Sequence, residues 1–270
     1  MREFSADYLT ETRRGMWRDR DALADLRLSD RSRILDVGAG TGEFARVLAA
    51  ESSAPVVALD ADTTLLGHTA DGAAHRVAGD ATRLPVRDDA CDLVACQALL
   101  INLPEPAAAV EEFARVSSEL VAVIEPDNSA VTVASTVAAE SALSARAREF
   151  YVDGVHTDVT LGADAADVLA DAGLRDVSTT RHEHVRVTEP PYDDGDLDAA
   201  ARKATADRLA DQRPELAAGG LADSAYDELR AAWREMGRDV VAQMQAGEYV
   251  RRETVPFYVT VGRLPDDDTA

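Results

Sequence analysis

Cysteine is nearly absent from this chain: its 270 residues hold two, Cys91 and Cys96. Their spacing offers neither a disulfide framework nor a metal site, which fits a reducing, cytoplasmic compartment. Long apolar runs are missing as well. No stretch of about 18 apolar residues occurs, so no membrane span is expected. The opening Met1-Arg2-Glu3-Phe4-Ser5 lacks the apolar core of a signal peptide. Lysine is the scarcest charged residue, present only as Lys203. Lysine and arginine together number 28 against 50 acidic residues, giving a formal net charge of −22. An acidic surface for a basic partner is one reading of that excess. The composition fits better a halophilic protein of a salt-rich cytoplasm. There, screening within a few ångströms lets a high net charge keep the chain in solution at little cost in stability. Acidity of that origin does not exclude a nucleic-acid substrate. No internal repeat and no low-complexity linker interrupts the chain, whose length suits one sizeable α/β domain with an appended helical part.

What is present is a glycine-rich turn. The run Ile34-Leu35-Asp36-Val37 leads into Gly38-Ala39-Gly40-Thr41-Gly42, and a helix-like apolar period follows from Glu43. The pattern predicts a buried strand, a tight turn and a helix N-terminus. The free N–H groups of that helix point into the loop, and side chains at the glycines would force the backbone away from a ligand. The dinucleotide fingerprint Gly-x-Gly-x-x-Gly would need glycine where Glu43 stands, and a carboxylate there would repel a pyrophosphate. Asp36 suits a ligand carrying a cationic amino group instead. Thr41 beside glycine invites a phosphate-loop reading, but no Gly-Lys-Ser/Thr follows. Asp36-x-Gly38-x-Gly40-x-Gly42 resembles the first motif of the class I S-adenosylmethionine-dependent methyltransferases, acidic-x-Gly-x-Gly-x-Gly. That resemblance implies S-adenosyl-L-methionine as cofactor.

The spacing beyond the loop agrees with the resemblance. Val56-Val57-Ala58-Leu59 predicts a second buried strand ending in Asp60, where an open α/β sheet places a carboxylate on ribose hydroxyls. Ala73 to Ala78 predict a third strand, followed by Gly79-Asp80-Ala81. The resembled family places an aspartate there for the adenine amino group, which implies that role for Asp80 with Ala81. A fourth strand, Ala90 to Gln97, should bring Cys96, Gln97 and Ala98 to the methyl being transferred. A helix over Ala107 to Ser117 leads to a fifth strand, Leu120 to Ile124, ending in Glu125-Pro126-Asp127. Strands alternating with helices give an α/β, doubly wound sheet, mostly parallel, seven-stranded and Rossmann-like in the resembled family. Its ligands sit outside the strand C-termini.

The flanks are read as covers. Residues 3–29 carry helical periodicity interrupted at Gly15, predicting two short helices in an N-terminal helical flap (1–29). In the resembled family such a flap closes over the cofactor, which would bring Tyr8 and Arg13 near the sulfonium; core packing is the role expected of Trp17. Helices are expected over 129–153, Ala163 to Ala172, Asp196 to Arg213 and Leu221 to Gln245. Strands are expected over Leu174 to Val187 and, antiparallel and closing, Thr254 to Val261, with Pro256 at its start or on an edge. Residues 264–270 read as a solvated tail. The segments 129–153 and 190–250 are read as helical lid insertions in one domain, 1–270. Glu189-Pro190-Pro191-Tyr192 reads as a rigid turn, since the motif it resembles belongs after the fourth strand. His182 and His184 lack a third ligand at metal spacing, so no metal is expected.

A cofactor that carries its own leaving group leaves the protein to align the acceptor and exclude water, which is catalysis by proximity. A base is needed only if the nucleophile must lose a proton, and the candidates are His156, Glu125 and Gln97, with Asp127 beside them. A small-molecule acceptor is favoured, because the lid is built into the chain and no nucleic-acid-binding module is visible; tRNA and protein are the alternatives. Two rival readings are a dinucleotide oxidoreductase, disfavoured by Glu43 and Asp80, and a cofactor-binding protein without chemistry.

Overall fold

Strand β1 (Ile34–Val37) is buried at every residue and pairs on both edges, so a run of four residues, apolar but for Asp36, lies at the middle of a sheet. In the computed structural model, residues 5–69 and 75–265 are described. The expected strand residues Ala73 and Ala74, the first four residues and the tail from 266 lie outside the described residues. The chain divides into two compact units: Met1–Asp127 with Leu161–His182 and Phe257–Ala270, and Asn128–Thr160 with Glu183–Pro256.

In the first unit, β2 (Val56–Asp60), β3 (His75–Ala78), β4 (Cys91–Gln97) and β5 (Ser117–Pro126) join β1 in the order β3-β2-β1-β4-β5, all parallel. Near-continuous apolar runs in β1, β4 and β5 are what a parallel sheet covered on both faces requires. Further along the chain lie β6 (Thr132–Ser135), β7 (Arg175–Thr188) and β8 (Arg251–Arg263). β8 runs antiparallel to β5, with Leu120 opposite Arg263 and Pro126 opposite Phe257. β7 pairs with β8, and the Thr179 and Thr260 hydroxyls share a hydrogen bond of 3.0 Å. The first unit thus contains the expected mostly parallel, seven-stranded arrangement.

Its helices are α1 (Ala6–Arg13), α2 (Glu43–Glu51), α3 (Thr63–Leu66) and α4 (Pro106–Val116). Ser5 caps α1 by accepting from the Tyr8 N–H at 3.2 Å, Asp62 caps α3, and Pro106 opens α4, where its missing N–H costs nothing. Phe44, Leu48, Val110 and Phe113 bury the apolar faces of α2 and α4. The second predicted N-terminal helix is a pair of 3-10 turns, Asp21–Leu26 and Leu28–Asp30.

The second unit holds β6, paired antiparallel with the start of β8 from Thr132 opposite Thr254 to Ser135 opposite Arg251. Its helices include α5 (Ala138–Gly154); α6 (Ala165–Asp171) belongs to the first unit, and α7 (Asp194–Thr205), α8 (Asp207–Asp211), α9 (Arg213–Ala218) and α10 (Asp223–Ala246) to the second. Three expectations shift here. Residues 132–135 form a strand where a helix was expected, because β-branched Thr132 and Val133 favour an extended backbone and α5 starts only where alanines begin. The helix expected over Asp196 to Arg213 breaks at Ala206, whose φ of 58° is left-handed. Pro256 lies inside β8 and belongs to neither ladder, the one with β6 ending at Thr254 and the one with β5 beginning at Phe257.

Candidate functional site

The first unit gathers its polar chemistry at the C-terminal ends of β1, β2 and β4. Gly38, Gly40 and Gly42 have φ of 70°, 56° and 77°. A Cβ on Gly38 would lie 2.7 Å from Leu99 Cδ1, and one on Gly40 would lie 3.1 Å from Leu9 Cδ1. Left-handed backbone and close cover together demand glycine at both positions. The Gly42 N–H closes the turn onto the Ala39 carbonyl at 2.8 Å, and Gly42 caps α2. Asp60 clamps the loop from β2: its Oδ2 accepts from the Gly40 N–H and its Oδ1 from the Asp62 N–H, each at 2.8 Å.

Asp36 is different. It is 1% exposed, and neither carboxylate oxygen has a hydrogen-bond partner. Burial pushes its pKa up to about 8, against the opposing pull of Arg13 and a weak contribution from the Ala45 N–H, while Asp60 pushes the same way as burial. The hydroxyls of Thr41 and Thr69 are also buried without partners, and Thr69 packs against Gly42. A buried carboxylate without donors is costly and calls for a cation. Asp36, the Cβ-free loop and a second carboxylate at the next strand end fit S-adenosylmethionine, whose amino group would go to Asp36 and whose ribose hydroxyls would go to Asp60.

Arg13 on α1 donates from Nη2 to the Gln97 carbonyl at 3.5 Å. Burial lowers its pKa, and the charges of Asp36, Glu43 and Asp60 oppose that. Tyr8, one turn earlier on the same helix, is exposed. The Gln97 side chain is turned to packing. Its Oε1 accepts from Trp17 Nε1 at 3.0 Å and its Nε2 meets Met16 Sδ at 3.2 Å, so the amide is engaged by the N-terminal segment instead of facing an open cleft. Trp17 is a core residue, stacked on His182 at 5.2 Å and tilted against Phe44 at 5.7 Å.

Beyond β3, Asp80 is exposed, and its Oδ1 accepts from the Thr82 N–H and hydroxyl, both at 2.9 Å, which lowers its pKa. Ala81 beside it is buried. Glu125, expected among the candidate bases, is fully buried and accepts from three backbone amides, Leu99 at 3.1 Å, Leu100 at 2.9 Å and Ile101 at 3.3 Å. Burial raises it to about 7 against those bonds. Both oxygens are engaged, so Glu125 shapes the turn after β4. Asp127 is half-buried, and His156 is exposed in the second unit, on the turn after α5. Glu189 to Tyr192 span the turn between β7 and α7. Among the described residues no group of three or more His, Cys, Asp or Glu side chains is placed to hold a metal.

Sequence reasoning missed Leu9 and Thr69, which lie against Gly40 and Gly42. An ordinary leucine and threonine carry no pattern, and only folding brings them to the loop. It also missed the anchoring role of Glu125, whose signal was a carboxylate ending an otherwise apolar strand.

Residues 35–120 match the family model of a methyltransferase domain. A demethylmenaquinone methyltransferase of Mycobacterium sp. (strain KMS) is 40% identical over 101 residues, 37% of this chain and 43% of that protein. One from Mycobacterium tuberculosis (strain CDC 1551 / Oshkosh) is 39% identical over 101 residues, 37% of this chain and 42% of that protein. The chain therefore spans less than half the length of these curated relatives. A solved structure from Bacillus halodurans C-125, described as a methyltransferase candidate, has a TM-score of 0.50 at 15% identity and covers 91% of this chain and 99% of that one. That likeness is one of fold.

Proposed function

We propose that the chain, whose residues 35–120 match the family model of a methyltransferase domain, transfers a methyl group from S-adenosylmethionine to a small-molecule acceptor. The observation that carries the reading is the buried, unpartnered Asp36 carboxylate beneath a loop that admits no side chain. The bound cofactor supplies a methyl on a sulfonium, with its leaving group built in. The chain's own residues bind and orient. Asp36 pairs with the amino group, Gly38, Gly40 and Gly42 leave room for the methionine part, Asp60 accepts from the ribose hydroxyls, and Asp80 with Ala81 receives the adenine. Tyr8 and Arg13 belong to the helix that covers Gly40, where they exclude water. Gln97 and Glu125 act by holding the end of β4 and the turn after it. Should the acceptor have to lose a proton, His156 is the exposed base we assign to it.

The names of the mycobacterial relatives make a demethylated quinone the first acceptor to try. The segments 129–153 and 190–250 are assigned to acceptor selection as a lid, and 1–29 to the cofactor as a flap. The acidic composition supports a salt-rich cytoplasm, so assays belong in molar potassium chloride. Calorimetry there should give saturable binding of S-adenosylmethionine and none of NAD, and Asp36→Asn should lose the binding while melting as a folded protein. Transfer of labelled methyl to demethylmenaquinone or to fractionated cell extract, with release of S-adenosylhomocysteine, tests the chemistry. Preference for NAD would overturn the cofactor; binding with no product from any fraction would leave a non-catalytic protein.

A further inference from the structure

One cluster in the second unit reverses the charge balance of the chain. Acidic residues outnumber lysine and arginine 50 to 28 overall, yet one place in this unit sets four cations, Arg148, Arg186, Lys203 and Arg251, against two carboxylates, Glu140 and Glu253. Alternation along β8 puts Arg251 and Glu253 on one face, opposite Ser135 and Val133 of β6. Arg186 reaches Glu253 from β7, Lys203 reaches Glu140 from α7, and Arg148 comes from α5.

The carboxylate oxygens are all taken. Glu253 Oε1 pairs with Arg186 and Oε2 with Arg251. Glu140 accepts from Lys203 Nζ at 2.6 Å, Ser135 Oγ at 2.6 Å, Arg251 Nε at 3.1 Å and the Tyr249 hydroxyl at 2.9 Å. Two donors remain. Arg148 bonds only a carbonyl, that of Val131, through Nη1 at 2.7 Å, and Arg186 Nε is buried with no partner. Burial lowers the Arg148 pKa, Arg208 and Arg251 push it the same way, and Glu253 alone opposes them. Four cations against two carboxylates leave a surplus of positive charge in a half-buried place, with Arg148 in no ion pair and Arg186 holding one guanidinium nitrogen unpartnered. A planar guanidinium fork is the side chain that best matches an oxyanion with two acceptor oxygens.

We propose that Arg148 and Arg186, backed by Arg251, form an oxyanion-binding site in the second unit that takes the carboxylate or phosphate group of a small ligand. The site stands independently of methyl transfer, since every residue in it belongs to the second unit and none to the glycine loop.

The test is calorimetric titration of the full chain with inorganic phosphate and, separately, with malonate, at constant ionic strength in potassium chloride. Saturable binding of at least one probe is expected, weakened tenfold or more in Arg148→Met and in Arg186→Met. The probe that binds more tightly decides between a phosphorylated and a carboxylated ligand. Arg148→Lys, which keeps the charge and loses the fork, should fall between wild type and Arg148→Met. If Arg186→Met fails to fold because Glu253 loses a partner, Arg148→Met, which breaks no ion pair, decides alone. Absence of saturable binding by both probes, or equal binding in wild type and a folded Arg148→Met, would overturn the site. S-adenosylmethionine binding measured on the same Arg148→Met protein should be unchanged, which separates this proposal from the cofactor reading.

Discussion

Asp36 in the first unit and Glu140 in the second are each 1% exposed, yet they sit in opposite electrostatic states. Glu140 accepts from four neighbouring side chains, two of them cations, and its pKa is lowered although burial alone would raise it. Asp36 accepts from none, and burial carries it to about 8. Equal burial therefore does not decide the charge of a carboxylate; the donors that the fold brings to it do. The second unit is complete around Glu140 without a ligand. The first unit keeps a carboxylate that lacks such donors and that an added cation would help to ionise near neutral pH.

The largest effect that would sharpen this contrast is the loss of Glu140. Glu140→Ala leaves Lys203 and Arg251 buried with one partner fewer, and breaking a buried ion pair in this way costs about 3–5 kcal/mol. Asp36→Asn removes a desolvated acid that has no partner, so it should leave stability unchanged or raised. Urea unfolding of both variants in molar salt checks the pair, and equal destabilisation would break the comparison. A smaller effect is expected at the loop. Asp60→Ala should weaken S-adenosylmethionine by about 1.5–3 kcal/mol, the scale of hydrogen bonds to a charged group. S-adenosylhomocysteine should weaken equally, because it carries the same ribose; strong discrimination between the two would remove Asp60 from the ribose.

Proton linkage gives the next test. The folded pKa of Asp36, about 8, lies above its ordinary 3.8. Its contribution to stability is therefore complete below about 3.8 and is lost as pH rises through about 8. Glu140 and Glu253 have lowered values, so their contributions are present above the ordinary carboxylate range and are lost as pH falls. If the cofactor needs ionised Asp36, its affinity should rise by up to about tenfold per pH unit between roughly pH 6 and 8, with release of one proton, then level off. Calorimetry in buffers of different ionisation enthalpy reads that proton, and a flat profile in wild type would detach Asp36 from the ligand. The smallest effects concern the charged surface and the covers. The melting temperature should fall as salt is lowered from molar to about 0.1 M. Hydrogen exchange should show cofactor alone protecting the backbone around Gly40 and Asp60 more than the helices around Val137 and Ala200.

The glycine loop, Asp36, Asp60 and the strand–helix alternation were legible in the residues because they depend on local order. A short run apolar but for Asp36, a glycine at every second position and a carboxylate at or near most of the strand ends keep their meaning wherever the strand is placed. β6 carries the signal of a helix because four residues give too short a pattern to outweigh the alanines that follow. Three side-chain roles lay beyond any local pattern: Gln97 held by Met16 and Trp17, Glu125 bonded to three amides of the turn after β4, and Leu9 set over Gly40. Each joins groups that are far apart in the chain or aimed by a turn. The sequence by itself determined which acids stand at the strand ends. Only the tertiary structure decided which acids found donors, because a buried carboxylate takes its charge from groups that other segments bring within about 3 Å.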